Sequence, residues 1–399
     1  MSMKERIALG FGNNIDYEIV WDSEVIEDLI NQYDIHRDEL NINREIKTVR
    51  DLVISILSFL KLGSGGERFV ATSDIIETLA QRFEKKVTLG GTSVRAAIAM
   101  RKLGYTSSLH LVTMNEHVRQ LIPQDSPYVC SNIEENSYPH LIVQFAQHTC
   151  VKAGDIDIRS SHANRIIYHC DDDNITMNLN EDFANLITDS KVLLVAGFNA
   201  MQSKELLLQR LETVQQMMTA LPKDAIIFYE DAGFYDPEFS RLICSILASK
   251  ISIFSLNEDE LQDYVGRRLD LLDALQIKNA LVELKTLIPV PVIIVHTKHW
   301  ALAYGDNASR FAPALKAATT MATTRFCYGD DFTLENYRTV KTLPPGKMNA
   351  RITDAINTLP GDTLWCVSVP DVSHIDQASA TTVGLGDAFV GGFLPALLD

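Results

Sequence analysis

Thr381-Thr382-Val383-Gly384-Leu385-Gly386-Asp387-Ala388-Phe389-Val390-Gly391-Gly392 lies near the end of a 399-residue chain, shortly after a strand-like apolar run from Leu364 to Val369. Gly384 and Gly386 bracket a turn, and Asp387 opens a short apolar helix. Strand, glycine turn and helix in that order leave the first backbone N–H groups of the helix unpaired and aimed outward, which makes an anion site. A carboxylate at Asp387 stands where it can take the proton of a hydroxyl attacking the bound anion. Positioning and charge stabilisation of this kind dominate phosphoryl transfer. Alone, a Gly-x-Gly-Asp string is also a plain turn with an acid well placed at a helix N-terminus. The rest of the chain decides between the two.

Upstream, strand and helix alternate. Lys191 to Ala196, Ala225 to Tyr229, Ile251 to Leu256 and Val292 to His296 read as short apolar strands, and Ser203 to Leu221 and Asp236 to Ser249 as helices. This predicts an α/β fold with a mainly parallel sheet covered on both faces, in which sites gather beyond the C-terminal strand ends. Phe11-Gly-Asn-Asn14-Ile-Asp16 follows a first core strand from Ile7 to Gly12; Asn14 and Asp16 there either hydrogen-bond a substrate or form an Asx-rich turn. Phe228-Tyr-Glu230-Asp231 and Ser255-Leu-Asn257-Glu-Asp-Glu260-Leu261 place carboxylates that can hold Mg²⁺ directly or through its waters. The second of these also reads as a capping box, Asn257 at the N-cap and Glu260 at N3.

Leu89-Gly90-Gly91-Thr92-Ser93-Val94-Arg95-Ala96-Ala97 predicts a tight turn into a helix capped by Thr92 or Ser93 and stopped at Gly104. The glycine pair there lets the backbone approach a ligand. Residues 22–60 look helical, and Lys61-Leu-Gly-Ser-Gly-Gly-Glu67 reads as a hinge or linker. Residues 105–165 favour short strands, with Leu109 to Thr113 and Leu141 to Ala146 the clearest, and predict a small sheet on the surface of the main domain. Arg165 begins another strand, where it either holds a phosphate or is simply solvated.

A net charge of −16 argues against nucleic acid or an anionic membrane as partner, because both reward a basic surface. The six cysteines are scattered and read as reduced thiols, with no zinc spacing. The N-terminal apolar run is too short for a signal peptide, and no stretch approaches the ~20 apolar residues of a membrane span. The expectation is a soluble cytoplasmic protein with small-molecule partners and an oligomeric state that the sequence leaves open.

Taken together, Phe11-Gly-Asn-Asn-Ile-Asp16, Asn164-Arg165-Ile-Ile167, Leu256-Asn257-Glu-Asp-Glu260-Leu261, Val295-His296-Thr297 and Thr382-Val-Gly-Leu-Gly-Asp387 resemble the ADP-dependent glucokinase and phosphofructokinase branch of the ribokinase superfamily of sugar kinases. These matches run in order over nearly the whole chain, from residue 7 to residue 392. The resemblance implies a ribokinase-like three-layer α/β/α domain with a mainly parallel central sheet and a small lid domain. It divides the chain into a large nucleotide-binding domain (1–16, 86–120 and 165–399) and a discontinuous sugar-covering lid (17–85 and 121–164).

The implied reaction is Mg²⁺-dependent phosphoryl transfer from ADP to a hydroxyl of a sugar or sugar phosphate, of glucose or fructose 6-phosphate type, leaving AMP. ATP as donor is one alternative, and a non-catalytic nucleotide- and sugar-binding protein is another. By resemblance, Asp387 is the base, and the backbone of Gly384, Leu385 and Gly386 is the anion hole. Glu230 and Glu260 serve the metal, and Arg165, Asn257 and His296 the nucleotide or a phosphate. Asp16, Asn14, Glu67, Gly90 and Gly91 face the sugar. Three positions depart from the family pattern: Phe228 stands for the histidine of His-x-Glu, Thr92 for the asparagine of Gly-Gly-Asn, and Ala388 for the threonine after the catalytic aspartate.

Overall fold

The computed structural model describes residues 7–132, 138–361, 363–375 and 380–398. Residues 1–6, which belong to the run judged too short for a leader, lie outside the described residues, as does Asp399. Among the described residues, nine strands form one sheet in the order Leu364–Ser368, Trp300–Gly305, Val292–His296, Ile253–Asn257, Ile226–Glu230, Val192–Val195, Ile7–Gly10, Ser108–Leu111, Tyr128–Cys130. Every neighbouring pair is parallel except the two made by Trp300–Gly305.

The central strands are apolar on both sides because both sides are covered. In Val192–Val195 all four residues are buried. Leu193 and Val195 join one core with Leu207, Leu211, Ile243 and Leu281 of the helices Lys204–Met218, Pro237–Leu247 and Ala274–Leu287. Val192 and Leu194 join the other with Val94, Leu315, Ala318 and Phe389 of Thr92–Lys102, Ala312–Tyr328 and Leu385–Phe393. This is the expected three-layer α/β/α domain.

A second sheet runs Gly66–Phe69, Asn164–His169, His140–Phe145, Asn14–Ile19, Lys85–Gly90. Its own apolar core takes Ile26, Leu52, Leu57 and Ile76 from the helices Ser23–Tyr33, Val49–Leu62 and Ser73–Ala80. Asp16 and Arg165 therefore stand on strands of the smaller sheet, and so does Glu67, where the sequence suggested a linker.

Two expectations need correction. Residues 105–165 do not gather into one small sheet: among the described residues Cys150–Ala153 and Ile156–Arg159 pair with each other as a two-stranded sheet, and the other strands join the two larger ones. Ser108–Leu111, buried at every position, extends the large sheet together with Tyr128–Cys130, while His140–Phe145 joins the second. Leu109 and Leu111 on one face and Ser108 and His110 on the other are all buried, so the strand needs cover on both sides, which a surface sheet does not give. The helix Thr92–Lys102 is not capped by Thr92 or Ser93 either: Gly91 occupies the N-cap at φ 90°, and the Ser93 hydroxyl donates to Gly12 O at 2.9 Å. A Cβ on Gly91 would meet Gly12 O at 2.9 Å, so the close approach of two backbones selects glycine. Among the described residues no helix is long and apolar enough to cross a membrane.

Candidate active site

Between the two sheets lies a cleft of about 1130 Å³. Gly384, Leu385, Gly386 and Asp387 line it where the helix Leu385–Phe393 begins. Gly384 holds φ 66°, the left-handed region that a side chain disfavours, and a Cβ there would meet Arg95 Nη1 at 2.8 Å and Arg325 Nε at 3.2 Å. The turn is held from behind by Arg325, whose Nε donates to Val383 O at 2.8 Å. From the side, Arg165 Nη1 donates to Thr382 O at 3.2 Å and lies 3.3 Å from Thr382 Oγ1.

Asp16, Asn14, Glu67, Gly90, Gly91 and Arg165 all line the same cleft. Asn14 does not close an Asx turn; it begins a strand and donates from Nδ2 to Asp16 Oδ1 at 2.7 Å. The other Asp16 oxygen accepts from Arg95 Nη2 at 2.6 Å. Asn14 Nδ2 also lies 3.1 Å from His140 Nδ1, and His140 Nε2 is 3.0 Å from Asp171 Oδ2. Burial works against a charged His140, but the hydrogen bond to Asp171 and the fields of Asp171, Asp16 and Glu67 outweigh it and raise the pKa. Its neighbour His169, 4.9 Å away between ring centres, is pushed the other way, to about 3, by burial and then by the charge of His140. Desolvation raises the Glu67 carboxyl although the side chain faces the open cleft; His140 and Arg165 pull against that shift.

Farther along, adjacent strand ends deliver Glu230, Asn257 and His296. His296 Nε2 lies 3.0 Å from Glu230 Oε1, while Glu230 Oε2 is buried with no hydrogen-bond partner among the described residues. The capping box is present. Asn257 Oδ1 accepts from the Asp259 and Glu260 amides at 2.8 and 3.0 Å, and the Glu260 carboxylate accepts from Asn257 N and Nδ2, both at 2.8 Å. Capping does not remove Glu260 from the cleft, which it also lines. Desolvation and the charge of Asp231 drive the Glu260 carboxyl well up. Asp231, buried and bonded to Ser240 Oγ at 2.7 Å, is raised to about 7, chiefly by desolvation. Burial raises the Asp231 and Glu260 carboxyls beside Glu230, and a cation placed among them would favour their charged forms. Among the described residues no group of three or more His, Cys, Asp or Glu side chains forms an all-protein cage. Mg²⁺ is usually held by one or two carboxylates plus phosphates and waters, and the orphaned Glu230 oxygen beside raised acids fits that demand.

Every residue given a role in the site from the sequence reaches this one cleft. Missed were Arg95, His140, Asp171 and the wall formed by Thr319, Thr323, Phe326, Lys347 and Asn349. Arg95 had a signal, a lone charge among Val94, Ala96 and Ala97 directly after the glycine pair. The wall had none, because its residues come from the helix Ala312–Tyr328 and the start of Lys347–Asn357 without a motif.

A mainly parallel α/β/α sheet, a second sheet across a cleft, and a glycine turn with an acid on its helix are the architecture and site that the sequence resemblance implied. The conserved region of the ADP-specific phosphofructokinases and glucokinases matches residues 5–394, and the chain belongs to that family. ADP-dependent glucokinase from Bos taurus is 24% identical over 231 residues; the match takes in 54% of this chain and 45% of that protein, less than half the length of the relative. A phosphofructokinase from Pyrococcus horikoshii OT3, crystallised with AMP, superposes with a TM-score of 0.75 over 99% of this chain and 98% of its own, at 18% identity. An ADP-dependent kinase in complex with fructose 6-phosphate and ADPβS superposes with a TM-score of 0.74 over 99% and 94%, at 12% identity. At these identities the two structures share the fold.

Proposed function

We propose that the protein is an Mg²⁺-dependent sugar kinase that moves the terminal phosphoryl group of ADP to a hydroxyl of a sugar or sugar phosphate and releases AMP. The observation that carries this reading is the juxtaposition of Asp387, on the first turn of a helix behind a left-handed glycine, with Asp16 across a shared arginine. Asp16, Asn14, Glu67, Gly90 and Gly91 hold the acceptor. The nucleoside lies along Thr319, Thr323, Phe326 and Asn349, with Asn257 and His296 toward its phosphates. The second sheet, with the helices behind it, is the lid that keeps water from competing as acceptor.

In the transfer step Asp387 takes the proton of the attacking hydroxyl as the new O–P bond forms and the bridging P–O bond of ADP breaks, leaving AMP. The backbone N–H groups of Leu385, Gly386 and Asp387 and the Arg165 guanidinium stabilise charge on the moving group. Glu230 and Glu260, the latter steadied by Asn257, hold Mg²⁺ or its waters. When bound, the ion neutralises phosphate charge. The scattered thiols and acidic surface favour a cytoplasmic setting.

The test crosses ADP and ATP against hexoses, hexose phosphates, pentoses and nucleosides with Mg²⁺ present. AMP formed together with one phosphorylated acceptor supports the proposal and names the substrate. Transfer from ATP alone overturns the donor, and nucleotide binding without transfer to any acceptor favours a binding protein.

A further inference from the structure

Arg95, in the Thr92–Lys102 helix, has a side chain only 5% exposed. Burial opposes its charge, but Asp16, Asp387 and Asp330 outweigh burial and raise its pKa further. Its Nη2 donates to Asp16 Oδ2 at 2.6 Å, its Nε lies 3.8 Å from Asp387 Oδ2, and its Nη1 lies 3.8 Å from Asp330 Oδ1. Glu18 Oε1 is 3.7 Å from Nη2, and Thr88 Oγ1 is 3.4 Å from it. Its helix neighbours Val94, Ala96 and Ala97 are buried and apolar. If packing were the only demand here, an apolar side chain would serve, since buried ion clusters are commonly matched or bettered by apolar packing. What an apolar group or an ammonium cannot do is hold two carboxylates in fixed directions from one planar fork.

We infer that Arg95 is a positioning residue for the transfer. It fixes the carboxylate that holds the acceptor, Asp16, and the carboxylate that takes its proton, Asp387, at one mutual distance. The inference deepens the kinase reading and rests on it. Because both acids refer to the same guanidinium, an acceptor seated on Asp16 presents its hydroxyl to Asp387 without a separate search. The second arginine at the turn, Arg325, does something else, since it bonds Val383 O and Asp330 and so braces the turn itself.

The experiment compares wild type with Arg95→Met, Arg95→Lys and Asp330→Asn, reading kcat, both KM values and thermal melting. Arg95→Met is expected to lower kcat about 10²-fold, the scale of a misplacement near 1 Å, and to raise the acceptor KM while leaving the donor KM in place. Arg95→Lys, which keeps the charge but not the fork, recovers part of that loss. Asp330→Asn, which disturbs the same buried cluster without touching Asp16 or Asp387, lowers melting and costs kcat less than Arg95→Met does.

A wild-type kcat in Arg95→Met overturns the inference. So does an equal kcat loss in Asp330→Asn, or an Arg95→Lys variant no better than Arg95→Met. Should Arg95→Met not fold, Arg95→Met/Asp330→Asn removes one charge of each sign, and the same kcat criterion applies to it. Absence of transfer by wild type sinks the kinase reading, and this inference with it; a wild-type rate matched by Arg95→Met sinks the role of Arg95 alone.

Discussion

Around Arg95, the acids Asp16, Glu18, Asp330 and Asp387 each come within 3.8 Å of one guanidinium, and Asp330 is shared with Arg325 and Lys86. Around Glu230 the balance is reversed. Asp231 and Glu260 crowd it, one imidazole lies 3.0 Å away, and one buried oxygen has no partner among the described residues. At the first place acids surround one guanidinium, which is anchored to Asp16 Oδ2 at 2.6 Å while its Nη1 has no hydrogen-bond partner among the described residues. At the second, desolvation has pushed the Asp231 and Glu260 carboxyls up, so a cation there would lower their cost of ionising. A cluster anchored on a guanidinium suits a base that must stand still, and a surplus of acid suits the entry of an ion with phosphates. On our reading the cleft keeps its proton chemistry and its metal chemistry apart by this difference in balance.

The sharpest way to break the comparison is to remove Asp387, the proposed base. Asp387→Asn should lower kcat by roughly 10²–10⁴-fold with both KM values little changed; a steady-state assay that finds a raised KM at normal kcat would move Asp387 from chemistry to binding. Next in size, Glu230→Gln should raise the Mg²⁺ concentration for half-maximal rate by roughly 10–100-fold, read from a metal titration at fixed nucleotide.

The smallest effect is on stability. His169 has a folded pKa lowered from 6.5 to about 3, facing His140 and Asp171. The unfolded chain therefore binds a proton in that window that the folded chain refuses, and stability is lost as pH falls from about 6.5 toward 3. His140 has the opposite sign: its raised pKa contributes stability below 6.5 that is lost as pH rises through the folded value. Denaturant unfolding of His169→Gln should show a flatter acid limb than wild type, and an unchanged limb would mean that other groups set it.

The sequence carried the large sheet well, because strands such as Val192–Val195 and Val292–His296 are apolar on both faces and leave no other placement. It carried the turn at Gly384 for the same local reason, since a left-handed φ before a helix selects glycine. It misplaced the strands within 105–165, because a stretch as short as Ser-Leu-His-Leu does not say which sheet it joins; pairing is a long-range choice, as Ser108–Leu111 beside Ile7–Gly10 shows. Asn257 and Glu260 kept both of their readings, since a capping box and a place in the cleft use the same side chains. Arg95 and His140 went unread because their meaning lies in partners 79 and 31 positions away.

The most direct measurement is the rate of AMP formation from ADP as a function of Mg²⁺ concentration, for wild type, Asp387→Asn and Glu230→Gln, at a saturating acceptor. The account predicts a collapsed plateau at an unchanged midpoint for Asp387→Asn, and a displaced midpoint rising toward the wild-type plateau for Glu230→Gln. Curves displaced alike for the two variants, or a wild-type rate indifferent to Mg²⁺, would contradict the separation of proton and metal chemistry within the cleft.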